Sequence, residues 1–134
     1  MPIPMWSRKY VGIPYVPHGR DFQGVDCYGL LRLVFRQEFG AEIPEYVYDD
    51  ATVPDAFEAG LNDSCWSLVA AEQLGDVILL TVKGKPFHCG LVLEPGRMLH
   101  VTRLGYSACI ERYDSPRWAN RVRGFYRHKG FLAG

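Results

Sequence analysis

The stretch GVDCYGL, positions 24 to 30, sets an aspartate and a thiol directly ahead of an apolar run that continues LRLVFRQEF. A structural cysteine could stand anywhere in such a run, whereas Cys27 stands where a helix ought to begin. At a helix N-terminus the unpaired amides and the macrodipole favour negative charge, so a thiol there ionises more easily than the free value near about 8.5. Thiolate is the nucleophile, and the same amides can hold the oxygen of a tetrahedral intermediate. Taken alone, Cys27 has a simpler reading as a small buried hydrophobe. A base within reach would decide for catalysis.

The candidate bases are His18, His88, His100 and His128. His88 lies in one apolar strand and His100 in the next, where a polar ring is otherwise out of place. Either alone reads as a core histidine with a backbone partner. Two in one hairpin favour a relay in which His88 exchanges a proton with Cys27 and His100 orients His88 through its second ring nitrogen. Their separation of twelve residues is even. They therefore share a face only if the EPGR connection has an odd length or a bulge, placed here at Gly96 or elsewhere in EPGRM. If β-alternation carries His88 toward Cys27, Gly90 and Val92 share that face, and Cys89, Leu91 and Leu93 turn away. His18 and His128 sit in polar surroundings and read as solvated.

These groups need elements to hold them. From Asp26 the pattern is helical, with Leu30, Leu31, Val34, Phe35 and Phe39 on one stripe, Arg32, Arg36 and Gln37 on the other face, and Gly40 as a stop. Asp26 suits the N-cap, which makes Cys27 the first helical residue. Ahead of it, PMWSRKYVG reads as a short helix closed by Gly12, and IPYVPHGRDFQG as an extended, turn-rich loop. The middle segment IPEYVYDDATVPDAFEAGLNDS carries mixed signals, with a short helix from Asp55 to Leu61. After Gly75 the runs DVILLTV, FHCGLVL, MLHV, SACIERY and RVRGFYR, broken by turn residues, describe a small antiparallel sheet. A helix followed by strands indicates an α+β fold in a single domain over residues 1–134.

Composition narrows the function. A chain of 134 residues with 48% hydrophobic content can bury a core without staples. Fifteen basic and fifteen acidic side chains cancel, so no long-range attraction recruits nucleic acid or an acidic membrane. The longest apolar stretch falls far short of the ~20 residues that span a bilayer, and MPIPMWSRKY lacks the apolar core of a signal peptide, which leads to an expectation of synthesis in the cytoplasm. The cysteines Cys27, Cys65, Cys89 and Cys109 form no CxxC pair and are expected as thiols, three of them as apolar fillers. No metal and no cofactor is expected: zinc sites use closely spaced ligand pairs, and the neighbours His88 and Cys89 face opposite sides of a strand.

GIPYVPHGRDFQGVDCYGL, then GDVILL, then HCGLVLEPGRMLHV, in that order, resembles the NlpC family of papain-like cell-wall cysteine peptidases. The likeness runs from about Gly12 to Val101. It implies an N-terminal helix bearing the nucleophile on a small antiparallel sheet, with Cys27 as nucleophile, His88 as base and His100 as the third polar residue. It also implies hydrolysis of an amide in a peptidoglycan stem peptide, beside γ-linked D-glutamate. Three further residues are candidates for substrate or oxyanion contacts. Tyr15, from the proline-tyrosine pair, could offer its hydroxyl or simply pack in the core. Asp26 could bind a substrate amine, although the cap is the preferred role. Tyr28 replaces the serine usual after the nucleophile. That replacement resembles the branch found in tail assembly proteins of tailed phages and implies other tail proteins as partners. Two alternatives to a hydrolase remain, a structural tail-tip component that keeps the fold and an acyltransferase using the same thiol.

Overall fold

The computed structural model describes residues 3–45, 65–82, 85–103 and 105–129. The helix α1 spans Cys27–Phe39, with Asp26 in extended conformation accepting the Gly29 N–H at 2.7 Å and Gly40 closing it at φ 62°. Leu30, Leu31, Val34 and Phe35 are buried as the periodicity requires, joined by Tyr28 and Leu33. Each such aliphatic or aromatic side chain contributes roughly 1.5–3 kcal/mol when fully buried.

The chain reaches α1 through a 3₁₀ turn at Met5–Lys9 and a short antiparallel ribbon of β1 (Arg20–Asp21) and β2 (Gly24–Val25). This loop lies across the first turn of the helix. A Cβ on Gly29 would sit 1.9 Å from the Gly19 carbonyl oxygen, so the approach requires glycine. Arg20 completes the clamp, donating to the Asp26 carboxylate at 2.8 Å and to Glu45.

The remaining strands are β3 (Trp66–Val69), β4 (Val77–Val82), β5 (Lys85–Glu94), β6 (Arg97–His100), β7 (Cys109–Arg112) and β8 (Val122–His128). They form one antiparallel six-stranded sheet in the order β3-β8-β4-β5-β6-β7. The fold is α+β, a helix at the N-terminal side packed on an antiparallel sheet, as the residue pattern indicates. β3 is not foreseen, and neither is the return of β8 between β3 and β4. The helix expected over Asp55–Leu61 lies outside the described residues.

Both faces of the sheet are covered. Cys89, Leu91, Leu93, Leu99 and Val77 pack with α1, while Val92, Met98, Ile78, Leu80, Tyr113 and Trp118 form a second apolar layer. This explains why β4 and β5 read as nearly continuous apolar runs rather than alternating ones. The β4 end is pinned by Asp76, fully buried, which takes two hydrogen bonds at 2.8 Å from Arg127 on β8.

Candidate active site

Strand parity decides where the two histidines meet. Leu91 pairs with Leu99 and Val92 with Met98, but Glu94 pairs with Arg97, so one extra residue stands on β5 between Val92 and Glu94. A bulge is present as expected, but at Leu93 rather than within EPGRM. The Pro95–Gly96 turn itself has an even length, with Gly96 at φ 101°. The bulge puts even-numbered residues of β5 and β6 on one face. His88 Nε2 and His100 Nδ1 are 2.8 Å apart there. Gly90 makes room between them, since a Cβ at that position would meet the His100 Cβ at 3.2 Å.

His100 is held from its other side. Its Nε2 lies 2.8 Å from Glu111 Oε1 on β7, and Arg117 stands 3.6 Å from the second oxygen of that carboxylate. A carboxylate only accepts, so it fixes the proton on His100 Nε2. His100 Nδ1 then accepts from His88 Nε2–H, and His88 Nδ1 is left as the atom for Cys27. Burial and the neighbouring His88 push the His100 pKa down to about 4, which keeps that ring neutral at ordinary pH. Trp118 closes the relay, its ring stacked on His88 at 5.6 Å and 28° and edge-on to His100 at 5.4 Å. An imidazolium at His88 would gain from that ring face.

Cys27 is half-buried at the first position of α1, with Cys89 and His88 near enough to act on the ionisation of its thiol. Its pKa is lowered to about 5. The Cys89 hydrogen bond is the largest cause, burial opposes it, and the His88 hydrogen bond and charge add to it. Here the expected geometry needs correction. Cys89, Leu91 and Leu93 do not turn away from Cys27, because α1 docks on their face of the sheet. The thiol is approached by two consecutive residues of β5, one from each face. Burial and the adjoining Cys27 push the Cys89 thiol well up, so Cys89 stays protonated and acts as a donor.

The other candidates divide. The Tyr15 hydroxyl lies in the same neighbourhood, hydrogen-bonded to Arg103, with its pKa raised first by burial and further by Cys27 and Asp26. Asp26 is buried and its carboxylate accepts from Gly29 N–H, from Arg20 and from the His18 N–H at 3.1 Å, which is the cap. Tyr28 points into the core and donates its hydroxyl to the Pro44 carbonyl, so its side chain is not presented to a substrate. His18 is exposed, as expected. His128 is not a solvated residue: it packs edge-on against Phe35 and Trp66, and burial lowers its pKa.

Glu111, Trp118, Arg103 and the thiol of Cys89 belong to the site without having been anticipated. Residue type sets neither Glu111 nor Arg103 apart from other charged residues, and Trp118 stands in the turn-rich DSPRWANR. A signal existed for Glu111 alone, since it follows Cys109 at the same-face spacing on a strand next to that of His100.

A thiol at the first residue of a helix, facing a histidine on an antiparallel sheet, is the arrangement of papain-like cysteine peptidases. Residues 12–127 match the NlpC/P60 family, and the chain belongs to it. The crystal structure of the NlpC/p60 domain of the peptidoglycan hydrolase SagA superposes with a TM-score of 0.63 at 24% identity, covering 89% of this chain and 90% of that one. Among curated proteins, the gamma-DL-glutamyl hydrolase of Bacillus subtilis (strain 168) is 26% identical over 132 residues, 95% of this chain and 29% of that protein. Tail tip assembly protein K of Escherichia phage N15 is 28% identical over 82 residues, 56% of this chain and 34% of that protein. The chain spans 17%, 29% and 53% of the length of three curated relatives it matches.

Proposed function

We propose that this chain is a cysteine peptidase that hydrolyses an amide bond in peptidoglycan stem peptides, beside γ-linked D-glutamate. The observation that carries the reading is that His88, bonded through His100 to Glu111, stands beside Cys27 and contributes to lowering the pKa of its thiol. The Cys27 thiolate attacks the carbonyl carbon, and the oxygen is held by amides of the first turn of α1 with the Tyr15 hydroxyl as a further donor. His88 Nδ1 delivers its proton to the leaving amine, then removes one from the water that opens the thioester. His100 is a positioning residue, and Glu111 sets the direction of the series. The substrate class is supported by family membership and by the gamma-DL-glutamyl hydrolase relative.

Assignment to a phage or prophage tail, with other tail proteins as partners, is supported by Tyr28 after the nucleophile and by the tail tip relative. The latter likeness also favours a second reading, a tail component that keeps the fold without cutting. Digestion of purified peptidoglycan with the protein and with Cys27→Ala, followed by mass analysis of the fragments, separates the two. Release of peptides ending or starting at D-glutamate by the first protein alone supports the peptidase. Equal silence from both supports the structural component.

A further inference from the structure

The face that carries the histidine relay ends at the outer strand of the sheet, and three groups with metal-binding chemistry converge there. The β6–β7 register sets His100 directly opposite Cys109 and Met98 opposite Glu111. Cys109 and Glu111 therefore leave their strand on the same face as His100. A ring nitrogen of His100, the Cys109 sulfur and a Glu111 carboxylate oxygen all lie within 4.8 Å of one another, and His100 Nε2 is the nitrogen turned to Glu111, 2.8 Å from its Oε1. We propose that His100, Cys109 and Glu111 form a site for a divalent transition-metal ion, Zn²⁺ being the ion its donors suit best, and that occupancy switches off the Cys27–His88 pair from behind.

One imidazole nitrogen, one thiolate and one carboxylate, with water as a fourth ligand, make a tetrahedral zinc set. β7 is an edge strand and Cys109 is exposed, so an ion can arrive from solvent without opening the core. His100 is buried and anchored through its Nδ1, the kind of outer contact that orients a ligating histidine. Sequence spacing could not reveal the set, because it is assembled across two strands rather than from neighbouring pairs. Arg117 beside Glu111 is the cation that opposes the incoming charge.

The consequence for the relay follows from donors and acceptors, and it rests on the peptidase reading. A metal on Nε2 displaces the proton that His100 gives to Glu111. The Cys109 thiol proton and this ring proton leave to solvent. His100 then carries its single ring proton on Nδ1, taken from Nε2 of the imidazolium form of His88, which keeps one proton on Nδ1 and becomes neutral. The hydrogen bond between the histidines reverses, with His88 Nε2 now the acceptor. An imidazolium at His88 would place two N–H groups head to head across 2.8 Å. The metal-bound relay therefore excludes the charged His88 that a Cys27 thiolate requires opposite it.

The binding test uses Co²⁺ as a visible stand-in for Zn²⁺ and the Cys27→Ala variant, so that the nucleophile cannot supply the sulfur. Titration should give a thiolate-to-cobalt absorption in the near ultraviolet that saturates at one equivalent, is displaced by Zn²⁺, and is lost in Cys27→Ala/Cys109→Ser. No such absorption, or one that survives loss of Cys109, overturns the site. In the peptidoglycan assay Zn²⁺ should inhibit the unmodified protein. Cys109→Ser should keep the metal-free rate and need at least about tenfold more Zn²⁺ for the same inhibition. Equal sensitivity of the two proteins would place the inhibitory ion on Cys27 itself and overturn the switch. If metal binds as described but no protein digests peptidoglycan, the site stands and the peptidase reading is what fails.

Discussion

The two faces of the sheet are built from the same strands and do opposite work. Toward α1, Cys89, Leu91, Leu93 and Leu99 make an apolar bed whose one polar gesture is the Cys89 thiol. On the other side, His88, His100 and Glu111 form a polar series roofed by Trp118 and set among Val92, Met98 and Tyr113. The first face fixes where the sulfur is. The second fixes which way protons run. Cys27 is reached by both because alternation along β5 places a neutral donor and an ionisable ring on successive residues. The nucleophile's environment is thus not one shell of similar groups but two supports, one on each face, that can be removed separately.

Removing the polar face should cost most. His88→Ala leaves the thiol without a proton acceptor and should lower peptidoglycan turnover by about 10²–10⁴-fold, while Cys27→Ala abolishes it. Circular dichroism should show both variants folded. Retention of more than a tenth of the rate by His88→Ala would mean that the base is another group and that the division between the faces is drawn wrongly.

One step back along the series the loss should be smaller and should depend on hydrogen-bonding capacity. His100→Asn can still pair with His88 Nε2 and should retain clearly more activity than His100→Leu. Glu111→Gln can donate as well as accept, so it no longer dictates the direction of the series, and a loss of roughly 10–100-fold in kcat is expected with KM little changed. Steady-state kinetics on a soluble stem-peptide substrate would measure this. Equal rates for His100→Asn and His100→Leu would reduce His100 to a packed core residue.

The apolar face should be felt in pH rather than in maximal rate. The Cys89 hydrogen bond is the largest contribution holding the Cys27 pKa at about 5, so Cys89→Val should raise that value. The acid limb of kcat/KM, and of iodoacetamide labelling of Cys27, should move to higher pH. Rates well above the limb should hold, because His88 is untouched. An unmoved limb would show that the polar face alone sets the thiol.

Much of this was legible in the residues, and what was not has physical reasons. Asp26 and Gly40 bound α1 by local capping chemistry, which needs no knowledge of the rest of the chain. The need for a bulge between His88 and His100 follows from parity, yet its place at Leu93 does not, since that depends on how the Pro95–Gly96 turn closes. Whether α1 would dock on the Cys89 face or the His88 face has no local signature at all. It is set by the path of the chain into the sheet, and this is why Cys89 was expected to face away. Glu111 and Trp118 were hidden for a related reason: neither is tied to the site until the sheet order brings β7, and the turn after it, to the relay. The direction of the Tyr28 side chain was not legible because the residue beside a nucleophile on a helix turns about 100° away, here into the core.

The smallest effect gives the sharpest comparison, because it should have the opposite sign. Asp26 stands next to Cys27, and its negative charge raises the thiol's pKa against the Cys89 and His88 contributions. Asp26→Asn keeps an acceptor for the Gly29 N–H, so α1 should still begin at Cys27. The asparagine NH₂ would then face the His18 N–H that the carboxylate now accepts, and the ion pair with Arg20 would be gone. Loss of one hydrogen bond of this kind costs about 1 kcal/mol, a few degrees in Tm for a domain of this size. The Cys27 pKa should fall, carrying the acid limb of iodoacetamide labelling to lower pH, where Cys89→Val carries it higher. The double variant should lie between the two, since one acts by charge through the cap and the other by a hydrogen bond from the sheet. A shift of both single variants in the same direction would show that the labelling rate reports access to the thiol rather than its ionisation. The separation of the two supports would then have to be measured by direct titration of the thiolate absorbance.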